Sequence, residues 1–235
     1  MNPIDLGIVH FLNRYAGACH AFDTIIFTWA NNNLVKAAPL LVVIFGLWFQ
    51  KGEAAETLSR RVAIVALLAA ACLAAATSVA LSHLLPERPR PLVNPALDFV
   101  LPYGMGRTGW ERVSSMPSDH AAMYFALAAG VCYASRFWGR LALFYSVVFI
   151  CFPRIWLGLH FPSDLAAGAA IGIAFAWLMH RPLMRTRVWQ PLLDWEASKP
   201  HIFYPPMLLL TIIIAGLFHD ARDVLHVLTT TLPKG

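Results

Sequence analysis

The sequence predicts an all-α integral membrane protein: a six-helix transmembrane bundle preceded by an N-terminal interfacial helix. Three observations carry that expectation. Apolar residues make up 58% of the 235 residues and charged residues only 13%, about half the charged share of an ordinary soluble domain. Several apolar runs approach or exceed the ~20 residues that a helix needs to cross a bilayer. The charges gather at the ends of those runs rather than in their middles, as lipid requires.

Taken in order, residues 1–33 read as an interfacial segment. Ile4, Ile8, Phe11, Leu12 and Tyr15 recur at helical spacing, interrupted by Asp5, His10, Asn13, Arg14, His20 and Asp23, a pattern that suits a helix lying in the membrane surface. This stretch has neither the basic start nor the sustained apolar core of a cleaved signal peptide. Asn31-Asn32-Asn33 breaks it. A domain over 34–219 then supplies the spans, at about 34–50, 62–85, 119–136, 141–158, 163–180 and 203–219. The connections are a charged loop at 51–61, an irregular proline-rich segment at 86–117, a tight turn at 136–140 and a charged loop at 181–202. Residues 220–235 form a polar tail. Cys72, Cys132 and Cys151 fall inside apolar runs and no CxxC pair occurs, so the cysteines read as small packing residues.

The formal charge is +5. No Lys/Arg run with interleaved aromatics is present, so the excess does not point to nucleic acid; loop charges and an anion site account for it. Alternating spans place Lys51, Arg60, Arg61, Arg136, Arg140, Arg181, Arg185, Arg187 and Lys199 on one side. The positive-inside rule leans toward that side being cytoplasmic.

Three polar clusters fall on the opposite side. The first is His83 to Pro91, at the end of the second span; the second is Ser115 to His120, at the start of the third; the third runs from Arg154 through His160 to Asp164. Arg154 near a span end is costly unless it faces a cavity or a partner, and a guanidinium suits phosphate oxygens. Pro117 precedes Ser118, Asp119 and His120 at a helix start, where free N–H groups collect and favour an anion. Asp164, four residues after His160, can hold the imidazole Nδ1–H and leave Nε2 free to attack. Two histidines, arginines and helix-start amides fit phosphoryl transfer, which needs positioning and charge stabilisation above all. No His/carboxylate cluster has metal-ligand spacing, so neither a metal nor another cofactor is expected.

These clusters resemble the type 2 phosphatidic acid phosphatases (PAP2), a family that shares its site with vanadium haloperoxidases. The pattern Lys-x6-Arg-Pro, Pro-Ser-x-His, Ser-Arg-x5-His-x3-Asp is matched by Arg90-Pro91, by Pro117-Ser118-Asp119-His120, and by Arg154, His160 and Asp164. The resemblance implies that His160 is the nucleophile, that Asp164 orients it, and that His120 is general acid and then base. It implies that Arg90, Ser118 and Arg154 hold the phosphate; Asp119, between Ser118 and His120, is a further candidate for the phosphate site. The chain departs from the pattern at two positions: His83 stands in place of the lysine and Pro153 in place of the serine. His83 when protonated, or Arg88, would supply the missing cation. The Asp119 variant of the second motif is similar to that of bacterial undecaprenyl-diphosphatases.

The function expected is therefore a metal-independent lipid phosphatase acting through a phosphohistidine. Its expected substrate is a prenyl diphosphate, undecaprenyl diphosphate, in a bacterial cell membrane, with the site on the non-cytoplasmic face. Phosphatidic acid or phosphatidylglycerophosphate is the alternative substrate. A transporter or a non-catalytic binding protein is the alternative of a different class; the former should carry its charges near mid-span. A haloperoxidase would be soluble, which this composition opposes.

Overall fold

The computed structural model describes residues 2–110 and 114–216, so the tail expected over 220–235 and the end of the sixth expected span lie outside the described residues. Every regular element among the described residues is helical. In chain order the α-helices are α1 (Pro3–Asn13), α2 (His20–Asn31), α3 (Asn33–Phe49), α4 (Ala54–Leu84), α5 (Asp119–Ala134), α6 (Arg136–Tyr145), α7 (Phe152–Trp156), α8 (Pro162–Met179), α9 (Pro182–Met184), α10 (Gln190–Ser198) and α11 (Pro200–Ala215), with two short 3₁₀ turns, Pro91–Val93 and Pro95–Leu97, between α4 and α5. A wide π turn, Ser146–Cys151, joins α6 to α7, and a second, Arg185–Trp189, joins α9 to α10. Among the described residues, three helices are long and apolar enough to cross a membrane: Ala54–Leu84, Arg136–Trp156 and Pro162–Met179. The pair α2 and α3, bent by 59° at Asn32, makes a fourth if it is taken as one broken span.

The core is the mutual packing of α4, α5 and α8, and small residues make it possible. A Cβ on Gly168 would lie 2.3 Å from the Ser118 carbonyl oxygen, and one on Gly172 would lie 2.2 Å from that of Ala122. Two glycines four apart thus let α8 touch the backbone of α5, the close approach that membrane helices use in place of a hydrophobic driving force. On the other side of α5, a Cβ on Gly130 would lie 2.2 Å from Leu67 Cβ on α4. Ala66, Ala70, Ala71 and Ala74 of α4 are fully buried.

Several boundaries differ from those read in the sequence. The N-terminal 33 residues form two helices rather than one. In α1 the apolar Ile4, Ile8 and Phe11 are exposed, while Asp5 and Val9 are buried. In α2, Asp23 is fully buried, accepting from Gly17 N at 2.8 Å, Tyr103 N at 3.2 Å and Trp156 Nε1 at 2.9 Å. These carboxylates, which as interruptions of an amphipathic pattern belong in water, tie the segment to the rest of the chain. The charged loop expected over 51–61 shrinks because α4 starts at Ala54. Arg60 stays helical and donates to the Leu47 and Gln50 carbonyls at 3.2 and 2.6 Å, satisfying the open end of α3. The loop expected over 181–202 is largely helical, and Glu196 of α10 pairs with Arg61 at 3.0 Å.

Pro153 has a structural consequence. It lacks the N–H that a regular helix needs, and the π turn ends two residues before it: Phe152 N donates to the Val147 carbonyl, five residues back. Such a widened turn absorbs an interior proline and re-aims the residues that follow. The residue that follows is Arg154.

Candidate active site

Three polar clusters, far apart in the chain, are joined by hydrogen bonds at one end of the α4–α5–α8 core. Ser115 N donates to the Arg88 carbonyl at 2.9 Å, linking the first cluster to the second. Arg90 Nη1 donates to the Leu159 carbonyl at 3.0 Å, linking the first to the third. Ser118 N donates to the Asp164 carbonyl at 3.1 Å, and Ser78 Oγ on α4 donates to the Pro117 carbonyl at 3.1 Å. The two helix starts of α5 and α8 therefore meet, as the Gly168 contact requires.

His160 sits in the short link between α7 and α8 and is 3% exposed. The link folds back on Arg154, whose carbonyl accepts from Leu159 N at 2.9 Å and from His160 N at 3.3 Å. Gly158, at φ +68°, makes the reversal; a Cβ there would also meet the Phe99 ring at 2.6 Å. His160 Nδ1 lies 2.7 Å from the Ser115 carbonyl oxygen, whereas Asp164 Oδ2 stands 3.9 Å away. A carbonyl can only accept, so Nδ1 carries the proton and Nε2 is the nitrogen with a lone pair. The Ser115 carbonyl, rather than the Asp164 carboxylate expected from the spacing, thus accepts the Nδ1–H bond. Burial, and then the neighbouring Arg90 charge, hold the imidazole well below its ordinary value, so it is neutral near pH 7.

Asp164 has other partners. Its Oδ2 accepts from Phe161 N at 2.7 Å, capping α8, and its Oδ1 accepts from Arg88 Nη1 at 2.5 Å. Arg88 also meets Asp5 at 2.8 Å and Ser163 Oγ at 2.8 Å, and stacks over Phe161 at 4.2 Å. The structure thus places Arg88 between two carboxylates, a different set of partners from the phosphate expected for it.

His120 Nδ1 lies 3.0 Å from Asp119 Oδ1, which also accepts from His120 N at 2.7 Å. Asp119 serves the histidine beside it, and a carboxylate oxygen has no proton to offer a phosphate at neutral pH. Ser118 is fully buried and its Oγ accepts from Ala121 N at 3.4 Å, capping α5. Arg154 is 2% exposed, and its Nε and Nη1 have no hydrogen-bond partner among the described residues. Buried guanidinium donors left unpaired are costly, and an anion would satisfy them. Lys36 on α3 is 6% exposed, and its charge acts on Arg154, Asp119 and His120. Its sequence signal is a lysine inside the apolar run 34–50, where a charge is costly unless it faces a cavity or a partner.

A cavity of about 410 Å³ opens on this cluster, lined by His83, Glu87, Arg90, Asp119 and His160 together with Ser78 of α4. His83 is exposed at the last turn of α4. Among the described residues, no group of three or more His, Cys, Asp or Glu is placed to hold a metal ion.

Three relatives share parts of this chain. YbjG of Escherichia coli (strain K12), provisionally named an undecaprenyl-diphosphatase, is 28% identical over 142 residues, 60% of this chain and 64% of its own. The lipid A 4'-phosphatase of Bacteroides thetaiotaomicron is 35% identical over 94 residues, 40% of either chain. The bacitracin transport permease protein BcrC of Bacillus licheniformis is 35% identical over 63 residues, 27% of this chain and 30% of its own. The matches thus cover under two thirds of each relative's length. No solved structure matches the chain. The model of the PAP2 superfamily matches residues 63–187, more than half of the sequence and a stretch that holds all three joined clusters; the protein belongs to the PAP2 superfamily.

Proposed function

We propose that the protein is a membrane lipid phosphatase that converts undecaprenyl diphosphate to undecaprenyl phosphate through a phosphohistidine at His160. One observation carries the reading: a buried, neutral imidazole, with Nδ1–H fixed on the Ser115 carbonyl, lines a cavity that Arg90 also lines. In the first step the Nε2 lone pair attacks the terminal phosphorus, and the bond from phosphorus to the bridging oxygen breaks. His120, entering the step as the imidazolium paired with Asp119, gives its Nε2 proton to the departing undecaprenyl phosphate. In the second step His120 takes a proton from water as that water attacks phosphorus; the P–N bond breaks, and inorganic phosphate leaves. The phosphorylated ring keeps Nδ1–H and carries positive charge, which the Ser115 carbonyl and the nearby Asp164 carboxylate stabilise. Arg90 and Arg154 answer the phosphoryl charge, with His83 at the cavity rim and Ser118 at the start of α5. Asp119 positions His120.

The diphosphate is favoured on two grounds. The relative matched over the greatest length carries that activity in its name. A leaving phosphate also departs more readily than an alkoxide, so a site with His83 in place of a permanent cation suffices. The lipid A 4'-phosphatase supports a second reading, a lipid phosphate monoester such as phosphatidate or phosphatidylglycerophosphate. The BcrC name supports transport as the reading of a different class. The protein is assigned to a bacterial cell membrane with the site on its non-cytoplasmic face.

The test is phosphate release by the purified full chain in detergent, with undecaprenyl diphosphate, phosphatidate and phosphatidylglycerophosphate compared by kcat/KM. Undecaprenyl diphosphate should lead. His160→Ala should lose more than about 1000-fold in kcat while remaining folded, and wild-type release should persist in chelator. A preference for phosphatidate overturns the substrate, and an active His160→Ala variant overturns the mechanism. Lipid movement without phosphate release would favour transport.

A further inference from the structure

We propose that Asp5 is a positioning residue: by holding Arg88 it fixes the Asp164 carboxylate beside His160, so that the seating of α1 completes the active site. The inference rests on the reading of His160 as nucleophile. Asp5 lies in the first turn of α1 and is 1% exposed. Its Oδ1 accepts from Ser163 N at 2.9 Å, and its Oδ2 accepts from Ser163 Oγ at 2.5 Å and Arg88 Nη2 at 2.8 Å. Ser163 is the second residue of α8, so its N–H is one of the donors that a helix start leaves open. A carboxylate from α1 fills it, 158 residues away in sequence.

Arg88 is divided between two acids. Nη2 goes to Asp5 and Nη1 goes to Asp164 Oδ1, with the guanidinium stacked on Phe161. A planar fork held at both ends has one orientation. Without the Asp5 charge, Arg88 would answer Asp164 alone and could pivot about Nη1, carrying with it the carboxylate whose other oxygen is 3.9 Å from His160 Nδ1. Burial by itself raises the Asp5 carboxyl, but the hydrogen bonds from Ser163 and Arg88 outweigh it and hold the group below its ordinary value, so the clamp is ionised at neutral pH. The rest of α1 turns Ile4, Ile8 and Phe11 outward, which leaves Asp5 as its polar anchor to the site.

The experiment compares wild type, Asp5→Asn, Asp5→Glu, Arg88→Met and the Asp5→Asn/Arg88→Met double variant as full chains in detergent, using undecaprenyl diphosphate and phosphatidate. Thermal midpoints establish that each is folded. Asp5→Asn should lose about 10- to 100-fold in kcat, the range for residues that orient a reacting group, with KM within about 3-fold. Asp5→Glu should recover part of the loss. The double variant should be no slower than Arg88→Met alone, because Asp5 acts through Arg88. Wild-type kcat in Asp5→Asn, or losses that multiply in the double variant, would overturn the proposal. If Asp5→Asn does not fold, Arg88→Lys keeps one charge without the fork and must show the same kcat loss; wild-type kcat there is equally fatal. A wild-type protein that releases phosphate from neither lipid fails the phosphatase reading itself, a result distinct from an active enzyme indifferent to Asp5.

Discussion

At the scale of the residue, the decisive group is a histidine that the fold keeps uncharged. Burial and the Arg90 charge depress the His160 pKa, whereas in the unfolded chain it takes a proton near pH 6.5. Between those two values the unfolded chain binds the extra proton, so the contribution of His160 to stability is intact above pH 6.5 and is lost as pH falls toward its folded pKa. The thermal midpoint in detergent should therefore drop on acidification below pH 6.5, and His160→Gln should flatten that drop. A variant whose profile parallels the wild type would show that His160 is not buried neutral. The spacing of Arg154, His160 and Asp164 was legible in the sequence, because one short link with a glycine reversal carries all three. Two other groups were not. The Ser115 carbonyl that holds Nδ1 belongs to the backbone, which every residue has. Asp5 looks like any polar interruption of an amphipathic pattern, and only the tertiary fold shows that it meets Arg88.

At the scale of the element, the site depends on how closely α8 approaches α5. Gly168 brings α8 onto the Ser118 carbonyl, and Ser118 N in turn donates to the Asp164 carbonyl. Gly168→Ala adds a Cβ 2.3 Å from a backbone oxygen that has no rotamer by which to escape. The helices must part, at a cost of about 1–3 kcal/mol for an overpacked core, and the starts of both helices shift. A lower thermal midpoint together with reduced kcat is expected. Gly46→Ala on α3 meets nothing within 4 Å and should be neutral or slightly stabilising. Equal behaviour of the two variants would remove the packing argument. The apolar runs announced α4 and α8 and most of their extents, because length and hydropathy are summed over many residues. The break at Asn32 was legible in the Asn31–Asn33 run, but the early start of α4 and the helical character of 182–198 were hidden, since the Arg60 reach to α3 and the Arg61–Glu196 pair are contacts rather than compositions.

At the scale of the whole molecule, the two ends of the core differ in how their cations are used. At the site end, Arg88 is paired with Asp5 and Asp164, Arg90 reaches the Leu159 carbonyl and Arg107 reaches the Leu92 and Phe99 carbonyls. These charges are occupied by structure or by the proposed chemistry and say little about topology. The other end is marked by the α4 N-terminus, the α5–α6 junction and the segment after α8. There Arg60 caps α3 and Arg61 pairs with Glu196, but Lys51, Arg181 and Lys199 are exposed in short connections. Counting only cations without a structural task among the described connections leans the positive-inside signal toward that end, which supports the proposed placement of the cavity on the non-cytoplasmic face. Two single-cysteine proteins test this, with Cys19, Cys72, Cys132 and Cys151 replaced by alanine: Ala96→Cys in the exposed loop beside the site, and Ala197→Cys in the exposed end of α10. In bacterial spheroplasts a membrane-impermeant maleimide should label position 96 directly and position 197 only after the membrane is opened. The reverse pattern would put the cavity in the cytoplasm. It would then require the diphosphate to be presented from that side, while leaving the chemistry at His160 as it stands.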